Sequence, residues 1–251
     1  MSKNFRDRTG EISVNKQGYK TEIVECFSAI NISVKIDDIH ILKNIRYDHF
    51  KDKSIINPYH PSIFGVGFMG VGKYKSKVNG KTTQTYQTWH HMFKRGYSEQ
   101  LKNKYPTYKD VIVCKEWHNF QNFAKWHEEN FKPHMVGWHL DKDIIKKNSK
   151  IYSPYNCDFV PSDINVIFTK RQNHRGNLPI GVFKQLHRYY AKISKFGKQI
   201  RLGGYATPEE AFEVYKNAKQ NYNREMAMLW RHLISKRIYQ AMIKYPIEIT
   251  D

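Results

Sequence analysis

Near the middle of the chain the sequence reads Trp138-His139-Leu140-Asp141-Lys142-Asp143-Ile144. Side chains alternate along a β-strand, so His139, Asp141 and Asp143 are expected on one face, with Leu140, Lys142 and Ile144 on the other. Such a concentration of oxygen and nitrogen donors suits a metal ion, or the activation of water beside a phosphate. The alternative is an edge strand with a solvated, charged face.

The residues that follow extend this strand into a ββα unit. Lys146 to Lys150 is a basic turn, Tyr152 to Pro161 a return segment, and Ser162 to Phe168 the start of a capped helix. Strand, turn, strand and helix together span about 30 residues, the size of a supersecondary motif. Asn156 and Asn165 follow Asp141 at separations of 15 and 24 residues.

The charge of the chain indicates a polyanionic partner. Its 251 residues include 42 Lys and Arg against 23 Asp and Glu, a net charge of +19. The usual partners of so positive a field are nucleic acid and acidic membrane surfaces. No basic amphipathic terminus or lipidation signal favours the membrane, and aromatic residues among the basic ones suit bases and sugars. A merely soluble basic protein is the alternative.

Cysteine usage and hydropathy indicate an intracellular, cytoplasmic protein. Cys26, Cys114 and Cys157 lie far apart and form no CxxC pair, which argues against a disulfide framework and a cysteine zinc knuckle. No run of 18 apolar residues predicts a membrane span. The polar, charged N-terminus has no secretory signal pattern.

The N-terminal 60 residues predict a small β-domain. Partly alternating β-branched segments at Ile23–Phe27, Ile30–Ile36 and Ile39–Leu42 are separated by turn residues. A β-barrel-like or curled sheet fits this pattern. So small a unit is marginal alone and is expected to pack on its neighbour.

A glycine cluster from Gly65 to Gly72, followed by Lys73, matches parts of two phosphate-binding motifs. Both motifs require a buried strand before the glycines and an apolar helix after them. Here Tyr74 to Lys81 is polar and turn-like. The sequence therefore argues against both motifs and favours a flexible loop of the kind that lies on a nucleic-acid backbone.

Beyond a polar linker at 173–177 the chain becomes strongly basic. Between Pro179 and Gly203 it has no acidic residue and six basic ones: Lys184, Arg188, Lys192, Lys195, Lys198 and Arg201. Two paired strands are predicted about Phe196-Gly197-Lys198. A helix is predicted to begin at Thr207, with Glu210 completing a capping box, and to run as one helix or a pair towards Lys244.

Two parts of the chain resemble known families. Residues 63–170 resemble phage-encoded HNH endonucleases, through the motifs Tyr86-x-x-Trp89-x-x-Met92, Tyr108-x-x-Val111-x-Val113-Cys114-x-x-Trp117, Leu140-Asp141-Lys142-Asp143-Ile144 and Tyr152-Ser153-Pro154-x-Asn156-Cys157-x-Phe159-Val160-Pro161-x-x-x-Asn165. Residues 179–220 resemble the ethylene-response-factor type of DNA-binding domain, through Gly181-Val182, Tyr190-Ala191-x-Ile193, Leu202-Gly203-x-Tyr205-x-Thr207-x-Glu209-Glu210-Ala211 and Tyr215-x-x-Ala218. The motifs are specific together and weak singly.

The nuclease resemblance implies a site for one divalent ion. Asp141 and Asn165 would bind Mg²⁺ or Mn²⁺, Asn156 would hold the hairpin together, and a base beside Asp141 would deprotonate the attacking water. The second resemblance implies a three-stranded sheet in the major groove of double-stranded DNA. Its expected DNA-binding residues are Lys184, Arg188, Tyr190, Lys192, Lys195, Lys198 and Arg201. The implied setting is a phage-infected bacterial host.

Lys142 departs from the HNH pattern, which usually has histidine at that position. A free lysine has a pKa of about 10.4 and is a poor base at pH 7. Three interpretations remain open. Lys142 holds the phosphate as a cation while His139 or solvent takes the proton, or Lys142 is a desolvated base, or the site is weakened or dead. His134, His139 and His174 are the candidate substitutes for the base.

The sequence thus predicts an α+β protein with three parts. They are a small N-terminal β-domain (1–60), a central ββα-metal HNH nuclease domain (61–176), and a C-terminal three-stranded sheet plus long helix (177–251). The predicted function is an HNH DNA endonuclease that nicks or cleaves duplex DNA, resembling homing endonucleases. The competing hypothesis is a DNA-binding, architectural or regulatory protein with a degenerate nuclease site. The oligomeric state stays open, a monomer included.

Overall fold

The computed structural model of the protein describes residues 6–169 and 177–251. Over these residues the fold is α+β, with several small sheets and seven α-helices. No helix within the two described ranges is long and apolar enough to cross a membrane. His174, one of the candidate bases, lies outside them.

The N-terminal unit is an open antiparallel sheet. Its strands β1 (Ile12–Val14), β2 (Lys20–Ser28), β3 (Asn31–Ile36) and β4 (His40–Ile45) follow one another in chain order, and helix α1 (Tyr47–Lys51) comes next. Apolar side chains alternate along β3, and those on one face of the sheet are buried together with Phe50 and Ile55. Strands β1 and β4 form the edges of the sheet and do not pair with each other. Of the two predicted forms, a barrel-like or a curled sheet, the described strands do not show the barrel.

A short hairpin stands where the sequence predicted a flexible loop. Strand β5 (Lys77–Val78) pairs antiparallel with β6 (Lys81–Thr82) through Asn79 and Gly80. These two residues have φ values of 49° and 75°. Positive φ at both central residues is the mark of a type I′ turn, for which Asn-Gly is the preferred pair. Strands of two residues carry no alternation, so pattern analysis overlooked the hairpin.

An aromatic core holds the middle of the chain. It is built on α2 (Gln84–Tyr97), β7 (Ile112–Val113) and α4 (Phe120–Asn130). Helix α3 (Glu99–Lys104) follows α2 and has no buried residue. Its fully buried rings are Trp89, Phe93, Trp117, Phe120, Phe123 and Phe159. The indole Nε1 of Trp89 donates to the carbonyl of Trp117 over 2.8 Å, so this buried polar group is satisfied.

One buried histidine in this core makes stability depend on pH. His127 on α4 is 5 % exposed and packs against Phe123, Phe131 and Phe159. Burial lowers its pKa from 6.5 to about 4. The unfolded chain therefore binds this proton below about pH 6.5, while the folded chain resists it down to about pH 4.

We expect the free energy of unfolding to fall by up to ~3 kcal/mol as the pH drops from about 6.5 to about 4. The substitution His127→Leu should remove this component of the pH dependence, measured by urea unfolding at several pH values. His232→Leu, at an exposed histidine, is the matched control and should retain it. Unchanged pH dependence in His127→Leu would show that His127 is not the group responsible.

The central stretch folds as strand, strand and helix. Strand β8 (His139–Asp141) is followed by β9 (Ile151–Tyr152), which pairs parallel with β7, and by β10 (Asp158–Val160), which pairs antiparallel with β8. Helix α5 (Ser162–Phe168) follows directly. The ββα order predicted from the sequence is confirmed. Strand β8 is shorter than expected, so only His139 and Asp141 share its face and Asp143 lies in the turn.

The C-terminal unit is a three-stranded sheet backed by a long helix. Strands β11 (Val182–Gln185), β12 (Arg188–Lys195) and β13 (Lys198–Tyr205) form an antiparallel sheet, followed by α6 (Pro208–Trp230) and α7 (Lys236–Lys244). The predicted capping box is confirmed, because Thr207 Oγ1 accepts from the Glu210 N–H and Glu210 Oε2 accepts from the Thr207 N–H.

The core of the C-terminal unit crosses the predicted boundary at 176/177. Its buried residues include Ile144, Val160 and Ile164 of the ββα unit together with residues of β12, α6 and α7. Helix α5 has seven residues and is too short to be stable by itself. Burial of Ile164, worth about 2 kcal/mol, is therefore part of what holds α5 in place. The ββα unit and the C-terminal module share one core.

Candidate functional site

Asp141 ends strand β8 and shapes the turn that follows. Its Oδ1 accepts backbone N–H groups from Asp143 and Ile144, each over 2.8 Å. Burial raises the pKa of Asp141 and the Asp143 carboxylate adds to the rise, against the lowering effect of the backbone bonds and of the Lys142 cation. The second carboxylate oxygen makes no bond to another described residue. One oxygen builds the turn, and the other is left for a ligand.

Asn165 lies on the helix that packs against β8. Helix α5 leaves β10 beside His139, where His139 Nε2 lies 2.9 Å from Ser162 Oγ. A helix that packs back on this hairpin runs in the direction of β8, and Asn165 is one turn beyond Ser162 on the same helix face. The side-chain amide of Asn165 makes no hydrogen bond to any other described residue. Asn165 is half-buried and, by helical spacing, lies on the same side of α5 as Ser162.

Asn156 bonds across the loop of the ββα unit. Its Nδ2 donates to Ser149 Oγ over 3.3 Å and to the Ile151 carbonyl over 3.4 Å. These bonds join the return segment to the turn that follows Asp141.

Lys142 is buried, and its ammonium group is used inside the turn. The residue is 7 % exposed, and Nζ donates to both carboxylate oxygens of Asp143 over 2.9 and 2.8 Å and to the Ser149 carbonyl over 2.5 Å. An ammonium group has three protons, and three acceptors surround this one. The geometry therefore favours neither the base nor the phosphate-holding interpretation. Lys142 instead fastens the turn that carries Asp141.

We expect Lys142→Met to lower the free energy of unfolding by about 2 kcal/mol, because it leaves the Ser149 carbonyl and the Asp143 carboxylate without their donor. The estimate is below that for a fully buried pair, since the Asp143 side chain is 42 % exposed. Urea unfolding measures the change. Lys146→Met, at an exposed lysine of the same turn, should stay within ~0.5 kcal/mol of wild type. Unchanged stability in Lys142→Met would contradict the fastening role.

His139 is the candidate base that lies on the same strand as Asp141. It is exposed, and only one ring nitrogen has a partner among the described residues, the Ser162 hydroxyl. His134 is placed differently: its Nε2 lies 3.4 Å from the Leu233 carbonyl and its ring packs edge-on to Trp138. His134 thus contacts the C-terminal module.

Two residues near Asp141 were missed by the sequence analysis. Arg95 on α2 donates to the Tyr152 hydroxyl over 3.3 Å. Burial would lower the pKa of Arg95, but Tyr152 and, more weakly, Asp141 outweigh it and raise that pKa. Asp158 lies opposite Asp141 in the register of the hairpin and accepts from Ser235 Oγ over 2.7 Å. No local sequence pattern around this arginine or this aspartate indicates that either lies near Asp141.

The available ligands suit a weakly bound cation that prefers oxygen ligands. Within the described ranges no group of three or more His, Cys, Asp and Glu side chains is arranged to hold a metal. A free oxygen of Asp141 and the unpartnered amide of Asn165 are two oxygen donors. Mg²⁺ is commonly bound by one or two protein oxygens, with water and substrate phosphate completing its shell. The residues present are compatible with Mg²⁺ or Mn²⁺ and unsuited to a structural zinc ion.

The outer face of the C-terminal sheet combines cations with aromatic rings. The guanidinium of Arg201 lies 3.5 Å from the centre of the Tyr190 ring, and Tyr190 stacks on Phe183 at 5.5 Å. Lys192 lies 5.0 Å from the centre of the Phe183 ring. Alternation along β12 places Arg188 on the same face. This outer face is defined by Phe183, Arg188, Tyr190, Lys192 and Arg201.

The other three predicted DNA-binding residues lie on the opposite side. Lys195 pairs with Glu225 of α6 at 3.0 Å, and Lys184 lies 5.4 Å from the centre of the Tyr189 ring. Lys198 is the cross-strand partner of Lys195 at the hairpin end, so its side chain points to the same side. The expectation that all seven residues act together is therefore corrected: only Arg188, Tyr190, Lys192 and Arg201 share a face.

Gly204 makes room for the ring of Tyr190. The two residues are opposite each other in β13 and β12, and a Cβ at Gly204 would lie 2.5 Å from the Tyr190 ring. The tyrosine therefore lies flat across a strand position that any side chain would block.

Comparison of the chain with protein-family models, curated proteins and solved structures finds no match.

Proposed function

We propose that the protein is a metal-dependent DNA endonuclease of the HNH type, which nicks or cleaves duplex DNA by phosphodiester hydrolysis. The observation that carries the proposal is the ββα hairpin. It presents a free carboxylate oxygen of Asp141 at the end of its first strand and an unpartnered Asn165 amide on the helix behind it. The Asn156 bonds across the loop of the same hairpin support it further.

In this proposal each residue has a defined part. Asp141 and Asn165 would hold one Mg²⁺ or Mn²⁺ ion, which would supply positive charge beside the scissile phosphate. His139 accepts a proton from the attacking water. The water oxygen forms a bond to phosphorus, the bond from phosphorus to the 3′ oxygen breaks, and that oxygen takes a proton from solvent. Lys142 acts indirectly, by keeping the turn after Asp141 in shape.

The outer face of the sheet is the proposed docking surface for double-stranded DNA. Arg188, Lys192 and Arg201 supply charge for phosphates, and Tyr190 with Phe183 supplies rings for sugars or bases. The ββα unit and the C-terminal module share one core. Docking of the C-terminal sheet on DNA therefore also sets the position of the ββα unit relative to the DNA backbone. The proposed setting is the cytoplasm of a phage-infected bacterial host.

The test is incubation of supercoiled plasmid with the purified full chain and Mg²⁺ or Mn²⁺. The proposal expects open-circular or linear product with either ion and none in the presence of EDTA. If the protein binds the plasmid but the plasmid stays supercoiled with every divalent ion, the nuclease proposal is rejected and the competing function is retained. That function is a DNA-binding protein with a degenerate nuclease site, and the engagement of Lys142 within the turn is the observation that favours it.

A further inference from the structure

The β5–β6 hairpin contributes nothing to the core. All four of its strand residues are exposed, and Val78 next to the turn is 53 % exposed. A two-stranded hairpin that packs on nothing is marginal in water. Its geometry rests on the type I′ turn and on bonds at its base, where Thr83 N–H and Oγ1 donate to the Ser76 carbonyl over 2.9 and 3.3 Å. The hairpin is a projection whose side chains are directed at solvent.

The hairpin lies in a long stretch of the chain that has basic residues and no acidic ones. From Lys53 to Ser98 the sequence has no acidic residue, and the hairpin region carries Lys75, Lys77 and Lys81, all exposed. The nearest acidic partner is Glu128 of α4, which binds Lys73 at 3.1 Å and the Tyr74 hydroxyl below the hairpin. None of the three hairpin lysines has a salt bridge to a described residue. Their charges are free to meet an external anion.

The register puts a lysine on each face of the hairpin. Lys77 is paired with Thr82, and Val78 with Lys81. Cross-strand partners point to the same side, so Lys77 lies on one face and Lys81 on the other. A ribbon lying flat on a single phosphate strand would use only one face. A ribbon with a cation on each face can reach the two phosphate strands that wall a groove, and the major groove of B-DNA admits a two-stranded ribbon.

We infer that the β5–β6 hairpin is a second DNA contact, which enters a groove of the duplex with Lys77 and Lys81 directed at opposite phosphate strands. This inference rests on the proposed function, since it takes the same duplex as partner. It extends the contact beyond the C-terminal sheet to a part of the chain more than 100 residues earlier. Its contacts are to phosphates and therefore independent of base sequence.

A salt titration of duplex binding, run in EDTA so that no cleavage interferes, tests the inference. The full chain is compared with the double variant Lys77→Ala/Lys81→Ala and with Lys43→Ala/Lys51→Ala, which removes two exposed charges from the N-terminal unit. Each lost phosphate contact should flatten the slope of log affinity against log salt by ~0.9. The hairpin variant should therefore lose about 1.8 from its slope, and the control should match wild type.

The outcomes separate this inference from the proposed function. The hairpin contact is rejected if the wild type and the hairpin variant have equal slopes of log affinity against log salt. It is also rejected if the hairpin variant and the control variant have slopes flattened by the same amount. Neither result bears on the nuclease proposal. Failure of the wild type to bind duplex DNA would overturn both. Position is checked independently with Val78→Cys and a duplex bearing a disulfide-linked tether. Cross-linking should exceed that of Ile39→Cys, at a 77 % exposed position elsewhere, and equal cross-linking would contradict groove entry.

Discussion

Replacing Asp141 by asparagine is expected to reduce DNA cleavage at least ~10³-fold while leaving DNA binding within about twofold of wild type. The ion's contribution to the transition state is worth several kcal/mol, and ~4 kcal/mol corresponds to a factor of about 10³. Asparagine retains an oxygen that can accept the N–H groups of Asp143 and Ile144, so the turn after β8 should persist. The change removes the charge that attracts the ion and little else.

The matched control is Asp163→Asn, which removes an exposed carboxylate from the first turn of α5. It should cleave like wild type, which would exclude a general effect of one lost negative charge. Plasmid nicking with Mn²⁺ measures both variants, and unfolding in urea confirms that both are folded. If Asp141→Asn cut as fast as wild type, the activity would belong to another site or to a contaminating nuclease.

The second large effect concerns the outer face of the C-terminal sheet. The double variant Lys192→Ala/Arg201→Ala should weaken duplex binding about 100-fold, from ~1.4 kcal/mol for each residue. Arg201 also stacks on Tyr190 at 3.5 Å, so its loss removes support for the ring as well as a charge. Fluorescence anisotropy at fixed salt measures the affinity.

The control for this variant lies on strands β11 and β12 of the same sheet but on the opposite face. Lys184→Ala/Lys195→Ala removes the same net charge from residues that lie against Tyr189 and Glu225. Screening limits the influence of distant charges, so its affinity should stay within about threefold of wild type. Equal weakening by the two double variants would mean that total charge, and not the outer face, governs binding.

The sequence predicted those features that short-range patterns encode. The capping box of Thr207 and Glu210 and the order of strand, strand and helix from His139 to Phe168 follow from local patterns, and the structure has both. The α+β class follows from the same periodicities. The function assigned to them remains a proposal.

Features that depend on how distant segments meet were not predictable. The sequence shows a lysine next to Asp141, but not that the Ser149 carbonyl returns to within 2.5 Å of its ammonium. Arg95 lies 46 positions before Asp141 and reaches this region only through the packing of α2. The basic residues of the sheet were grouped by composition, whereas strand register divides them between two faces.

The nuclease proposal requires Asp141 and Asn165 to share one divalent ion. A crystal structure of the full chain grown with Mn²⁺, examined for the anomalous signal of the metal, tests this requirement. One strong peak is expected at about 2.2 Å from an oxygen of each side chain, with water completing the shell. A peak bound elsewhere, or side chains of Asp141 and Asn165 pointing apart with no metal between them, would contradict it.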